Sequence, residues 1–72
     1  SIYDASMGYY NKEPKDLNLS EASMLAGVPN APSLYAPTVN MDLAKKRQAH
    51  VLKKMVENGY ITQSEADSVT NP

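Results

Sequence analysis

The 72-residue chain contains no cysteine, no tryptophan and no phenylalanine. Without cysteine it can form neither a disulfide nor a thiolate metal site. Its large aromatic rings are five tyrosines, so most of the core must come from aliphatic side chains. A chain of this length buries only about 60% of its unfolded surface. We therefore expect at most one small domain with little core.

Neither charge sign is in excess, because seven basic residues face eight acidic ones and the net charge is −1. A nucleic-acid-binding protein usually carries a clear basic surplus, so this class is excluded. Long hydrophobic runs are also missing: the longest are three residues, for example residues 24–26. That is too short to span a bilayer. Since the chain starts without Met and ends on Asn71-Pro72, we expect a piece of a longer protein.

The longest helical pattern covers residues 41–58. Asn40 is a good N-cap because its side-chain oxygen can accept from a free amide of the first turn. Asn58-Gly59 can turn left-handed and end the helix. The apolar residues of this segment recur at helical spacing and predict one buried stripe. They are Ala44, Val51, Leu52 and Met55.

Arg47 and Gln48 fall on the same stripe, one turn before Val51 and Leu52. A guanidinium cannot lose its charge, so on a buried face it needs a carboxylate, several carbonyls or an anionic ligand. In one interpretation the stem of Arg47 packs on apolar neighbours while its head reaches water or a nearby acid. In the other, Arg47 lines or supports an anion site. The 72 residues leave both interpretations open.

A short helix is predicted over about residues 1–10, where Ile2, Ala5, Ser6 and Tyr9 recur at helical spacing. Pro14 ends it, because proline disfavours helix in the residue before it. We interpret Tyr9-Tyr10 as core packing with the hydroxyl groups at the rim.

A second helix is predicted over about residues 19–26, ending at Gly27. Asn18 can cap it, and Glu21, three residues later, can return a hydrogen bond to the backbone of the cap. Because this capping box accounts for Glu21, we interpret it as a structural residue and not as a catalytic acid.

Residues 28–38 contain three prolines, which exclude a helix or an inner strand and predict a loop folded onto the helices. After this loop and the long helix, Thr62 and Glu65 form a second capping box and predict a brief last helix. The fold class is therefore all-α: a small bundle of about four helices with a Pro-rich loop.

The residues offer no visible catalytic chemistry. His50 is the only histidine, and no second ligand lies three or four positions away, so a metal site is not predicted. No Ser or Cys is paired with it in a nucleophile motif. The acidic residues occupy caps, first turns or exposed helical positions, not a carboxylate pair for glycosyl chemistry.

The order of these segments resembles a known family. Residues 5–12 (ASMGYYNK), 16–27 (DLNLSEASMLAG) and 28–33 (VPNAPS) are similar to the C-terminal part of the peptidoglycan glycosyltransferase domain. That domain occurs in class A penicillin-binding proteins and monofunctional transglycosylases. Its pattern reads A-A-x-x-Y-F-G-K, then D-L-T-L-x-E-A-A-x-L-A-G-L-P-x-A-P-S.

Residues 47–55 (RQAHVLKKM) resemble the fifth motif of the family, R-R-x-x-V-L-x-x-M, and residues 59–62 and 65–66 continue the similarity. There are two departures. Asn11 stands where the family usually has Gly, and Gln48 replaces the second Arg, which puts a paired-arginine site in doubt.

The resemblance implies that residues 1–72 are the C-terminal segment of a larger, lysozyme-like α-helical domain. Such an enzyme polymerises lipid II into glycan strands at the extracytoplasmic face of the bacterial membrane, to which it is anchored. Its catalytic glutamates lie N-terminal to this segment, and a divalent metal often assists. The segment itself is therefore expected to hold no catalytic residue, no metal and no cofactor, and to be inactive alone. Its fifth-motif residues are expected to support the substrate site; they are Arg47, Gln48, Val51 and Leu52.

An alternative from another class is an autonomous helical module that binds a protein partner through the Pro-rich loop and the apolar stripe. The loop does not repeat a P-x-x-P pattern, and the caps account for most polar residues, so the first interpretation is favoured. For the isolated piece, exposed apolar faces predict self-association through helix pairs.

Overall fold

The computed structural model describes residues 2–28 and 40–72. Within these ranges the chain forms four α helices and no strand, which confirms the predicted all-α class. A short 3₁₀ helix, Pro14–Asp16, which the sequence did not predict, connects the first two. The helices are α1 (Ile2–Tyr10), α2 (Leu19–Ala26), α3 (Met41–Glu57) and α4 (Gln63–Thr70). The loop predicted for residues 28–38 lies outside the described residues except for Val28.

The predicted capping box of α2 is confirmed. The Glu21 backbone N–H donates to Asn18 Oδ1 at 2.8 Å, and the Asn18 backbone N–H donates to Glu21 Oε1 at 3.0 Å. Two of the amides that a helix start leaves without an intrahelical partner are thereby satisfied. The same pair of bonds links Thr62 and Glu65 at the start of α4.

The long helix α3 begins and ends as predicted. The Leu43 backbone N–H donates to the side chain of Asn40 at 3.1 Å. After Glu57 the chain turns through Asn58 to Gly59, whose φ of +77° lies in the left-handed region that glycine tolerates best. None of the helices in the described part of the chain is long and apolar enough to cross a membrane.

The helix α3 packs against both α2 and α4. Its buried residues Ala44, Gln48 and Leu52 are spaced four apart and so form one row facing the neighbouring helices. Among the described residues, the buried apolar side chains come from α2, α3 and α4. They are Met24, Leu25, Ala44, Leu52 and Ala66.

Two expectations about burial are corrected. Arg47 was placed on the apolar stripe, but it is exposed and only its neighbour Gln48 is buried. Adjacent residues differ by 100° around a helix, so the row centred on Gln48 turns Arg47 to its edge. Tyr9 was expected in the core and is 36% exposed, whereas Tyr10 is half-buried.

Candidate functional site

A buried amide connects α3 to α2. Gln48 Nε2 donates to the backbone oxygen of Ser20 at 2.8 Å and to Ser23 Oγ at 3.2 Å. Ser23 Oγ in turn donates to the Ser20 oxygen at 3.2 Å. Gln48 is 7% exposed and Ser23 1%. Because an unpaired buried amide would be costly, these bonds fix the register of α3 on α2 at the start of the fifth-motif-like segment.

Gly27 brings the end of α2 directly against the backbone of α3. A Cβ atom added to Gly27 would lie 3.0 Å from Arg47 Cβ, 3.2 Å from Arg47 C and 3.3 Å from Gln48 N. The φ of Gly27 is −81°, an ordinary value for any residue. Glycine is therefore needed here for the close approach of the helices and not for its backbone freedom.

The four fifth-motif-like residues do not converge on one surface. Gln48 and Leu52 belong to the buried row, and Leu52 is 2% exposed. Arg47 is exposed and Val51 half-buried, four positions apart and thus neighbours along the edge of the helix. The structure therefore divides the set into two residues that hold α3 in place and two at its margin.

Within residues 2–28 and 40–72, residues of α3 line two shallow grooves. One, of about 220 Å³, is lined by Val51 and the end of the helix and reaches the exposed Tyr60. The other, of about 350 Å³, lies between α3 and α4 and is lined by Leu52, Lys53, Ala66 and Asp67, among others. Neither groove brings carboxylates together as glycosyl transfer requires.

An ion pair between the turn after α1 and the start of α2 was missed by sequence reasoning. Lys12 Nζ lies 3.0 Å from Glu21 Oε1 and 2.9 Å from Glu21 Oε2. The pKa of Glu21 is lowered, chiefly by the hydrogen bond from the Asn18 backbone and then by that from Lys12. Burial raises the pKa of Tyr10, and the negative charge of Glu21 adds to this.

The backbone before Lys12 explains how the lysine reaches Glu21. Asn11 has a φ of +52°, a left-handed conformation that reverses the chain at the end of α1. The hydroxyl of Ser6, a fully buried residue, donates to the backbone oxygen of Lys12. An asparagine after a helix is the one sequence signal that could have indicated this turn.

Among residues 2–28 and 40–72, no group of three or more His, Cys, Asp and Glu side chains could hold a metal ion. Glu21 and Glu65 are each engaged in a capping box. The acidic residues of this segment thus do not fit a metal site.

Comparison with known proteins shows the family of the chain. A family model described as Transglycosylase matches residues 1–56, more than three quarters of the chain. The chain belongs to the transglycosylase family. No solved structure matches it.

This transglycosylase segment is similar to penicillin-binding proteins. It is 52% identical over 63 residues to penicillin-binding protein 1A of Neisseria flavescens, covering 88% of the chain and 8% of that protein. It is 48% identical over 67 residues to penicillin-binding protein 1A of Neisseria lactamica, covering 93% of the chain and 8% of the relative. It is 46% identical over 65 residues to penicillin-binding protein 1F of Bacillus subtilis, covering 90% of the chain and 9% of that protein. The chain thus spans less than a tenth of the length of these relatives.

The first departure from the transglycosylase pattern is explained by the backbone. The family usually has Gly where this chain has Asn11, and the φ of Asn11 is +52°. Asparagine is the non-glycine residue that enters the left-handed region most readily. The substitution therefore preserves the turn.

Proposed function

We propose that this chain is the C-terminal segment of a peptidoglycan glycosyltransferase domain, which polymerises lipid II into glycan strands. The longer protein that contains it is called the parent protein here. The match of the Transglycosylase model over residues 1–56 carries this proposal. The similarity to penicillin-binding proteins supports it. We further propose that the parent protein is membrane-anchored and acts at the extracytoplasmic face.

In this proposal the segment shapes the substrate site and does not supply its acid or base. The carboxylates of Glu21 and Glu65 take part in capping boxes. We infer that the catalytic glutamates belong to other parts of the parent protein. The family often uses a divalent metal. Since the acidic residues described here do not cluster, any such metal would be held elsewhere, and no step is assigned to it.

The fifth-motif-like residues divide this supporting work. Gln48 and Leu52 hold α3 against its neighbours, through buried hydrogen bonds and apolar packing respectively. Arg47 is exposed and Val51 half-buried at the margin of α3, and we infer that they face the rest of the domain. The guanidinium of Arg47 would supply a permanent positive charge near the anionic pyrophosphate of lipid II.

The test is the Arg47→Ala variant of the parent protein, with Lys46→Ala as the matched control. Both changes remove one exposed cation of α3, and only the first lies in the motif. We expect Arg47→Ala to reduce the rate of glycan-strand formation from lipid II far more than it lowers Tm, and Lys46→Ala to change neither. Parallel losses of rate and Tm in Arg47→Ala would identify a purely structural arginine. A parent protein that forms no glycan strands would contradict the proposed function itself.

A further inference from the structure

We propose that Gly27 is a positioning residue for Arg47. Because Gly27 has no side chain, α2 and α3 can approach closely, and this approach determines the position of Arg47 relative to the substrate. This inference rests on the proposed function, because it concerns the residue through which the segment would act. It assigns a functional consequence to a glycine whose backbone conformation any residue could adopt.

Gly27 lies directly against the backbone and Cβ of Arg47. The atom nearest to a Cβ on Gly27 would be Arg47 Cβ, at 3.0 Å, and the next two are backbone atoms of Arg47 and Gln48. The arginine cannot avoid such an atom by rotating about its side-chain torsions, because Cβ and the backbone do not move with them. Relief would require α3 itself to shift by a few tenths of an ångström.

The contacts next to Arg47 restrict how α3 can shift. One residue further along α3, Gln48 is held on α2 by bonds to Ser20 and Ser23. A Cβ at position 27 would push α3 away at Arg47, while the bonds of Gln48 would hold α3 on α2. Together they would tilt α3 at Arg47. Because Arg has a long side chain, a small tilt at Cα becomes a larger displacement at the guanidinium. Small misplacements of a positioned group reduce turnover strongly, by as much as about 100-fold for about 1 Å.

Other glycines of the chain provide a control. A Cβ added to Gly8 would meet nothing within 4 Å, and its φ is not positive. Gly8 lies inside α1, where replacement by Ala favours the helix. Gly8→Ala should therefore leave polymerisation unchanged and not lower Tm.

The experiment is a double-mutant cycle in the full-length parent protein, using Gly27→Ala, Arg47→Ala and the double variant. Arg47→Ala keeps Cβ, so the clash and its effect on Tm persist in both backgrounds, while the guanidinium is present in only one. We expect Gly27→Ala to lower kcat/KM for lipid II on the order of tenfold when Arg47 is present. In the Arg47→Ala background we expect no further loss of kcat/KM, with the same decrease in Tm.

Three results would overturn the inference. An equal loss of kcat/KM in both backgrounds would show that Gly27 acts otherwise than through Arg47. A decrease in Tm with unchanged kcat/KM would show a structural role alone. If Arg47→Ala alone leaves kcat/KM unchanged, there is no group to position, although the parent protein would still be a glycosyltransferase.

If Gly27→Ala fails to fold, Ser23→Ala tests the same α2–α3 interface without a clash. It removes one of the two acceptors of Gln48 and loosens α3 on α2. We expect a smaller loss of kcat/KM that again disappears in the Arg47→Ala background; a loss that persists there would overturn the inference.

Discussion

Gln48 and Ser20 are 28 positions apart in the chain, yet the side-chain amide of one donates to the backbone oxygen of the other at 2.8 Å. Gln48 stands at the position where the family pattern has a second arginine. A neutral amide brings no charge into the α2–α3 interface, so it needs no counter-ion there. In this chain Gln48 thus anchors α3 on α2, and we propose that Arg47 alone supplies the positive charge of the motif to the substrate site.

We expect Gln48→Ala in the parent protein to lower the free energy of unfolding by about 1–3 kcal/mol, because Ser20 and Ser23 lose their buried donor. Gln63→Ala is the matched control. Its side chain also donates at 2.8 Å, to Asp67, but on an exposed face of α4, so a change within about 0.5 kcal/mol is expected. Urea unfolding compares the two. Equal losses would mean that burial of the Gln48 contact is unimportant.

The acid dependence of stability should report on Glu21. Its pKa in the folded chain is lowered, first by the Asn18 amide and then by Lys12, so the unfolded chain takes up the proton more readily. The charged Glu21 carboxylate therefore stabilises the folded chain. This stabilisation is fully present above the unfolded pKa of about 4.3 and is lost as pH falls through the lower pKa of the folded state.

The variant that checks this is Glu21→Gln, because Gln at the third helical position can still complete the capping box while losing the charge. We expect it to be less stable than the unmodified protein near pH 7 and to lose less stability between about pH 5 and about pH 2. The measurement is the free energy of unfolding of both proteins at about pH 5 and about pH 2. An unchanged acid slope would show that Glu21 does not contribute to it.

The turn at the end of α1 can be tested at Asn11. With φ at +52°, Ala should cost about 1 kcal/mol in the free energy of unfolding, while Gly, the usual residue of the family, should be neutral or slightly favourable. Asn11 is exposed, so lost packing does not confuse the comparison. If Asn11→Ala and Asn11→Gly unfold at the same denaturant concentration, the left-handed turn is not what selects this residue.

The features predicted correctly from the sequence are those that depend on neighbours along the chain. Both capping boxes and the Asn40 cap need only residues three positions apart, and all were confirmed. The apolar stripe of α3 was also recognised, since helical periodicity is local. Its exact centre was not, because apolar spacing alone cannot show which of the adjacent residues Arg47 and Gln48 lies at the centre of the stripe and which at its edge.

The features that were missed join distant or irregular parts of the chain. The Lys12–Glu21 ion pair depends on the reversal at Asn11, and the 3₁₀ helix at Pro14–Asp16 is too short to leave a periodic signal. The approach of Gly27 to Arg47 depends on how α2 packs on α3, and at the sequence level that glycine indicated only the end of a helix. The role of the four fifth-motif-like residues at a substrate remains a prediction.

The last prediction concerns the isolated 72-residue chain. Among the described residues, the buried apolar side chains include only two leucines and one methionine, and the others are alanines. Several large apolar side chains remain exposed, including Ile2 at 54%, Tyr3 at 50% and Tyr60 at 78%. With so little burial to offset conformational entropy, we expect a broad thermal transition that depends on protein concentration as exposed faces associate.

Circular dichroism melts at several concentrations, with sedimentation of the same samples, would measure this, and the isolated chain should form no glycan strands from lipid II. A sharp transition independent of concentration would show an autonomous helical module and favour the interaction-module alternative. A broad transition that sharpens when the segment is part of the parent protein would instead show that α1 to α4 complete their packing only against the rest of the domain.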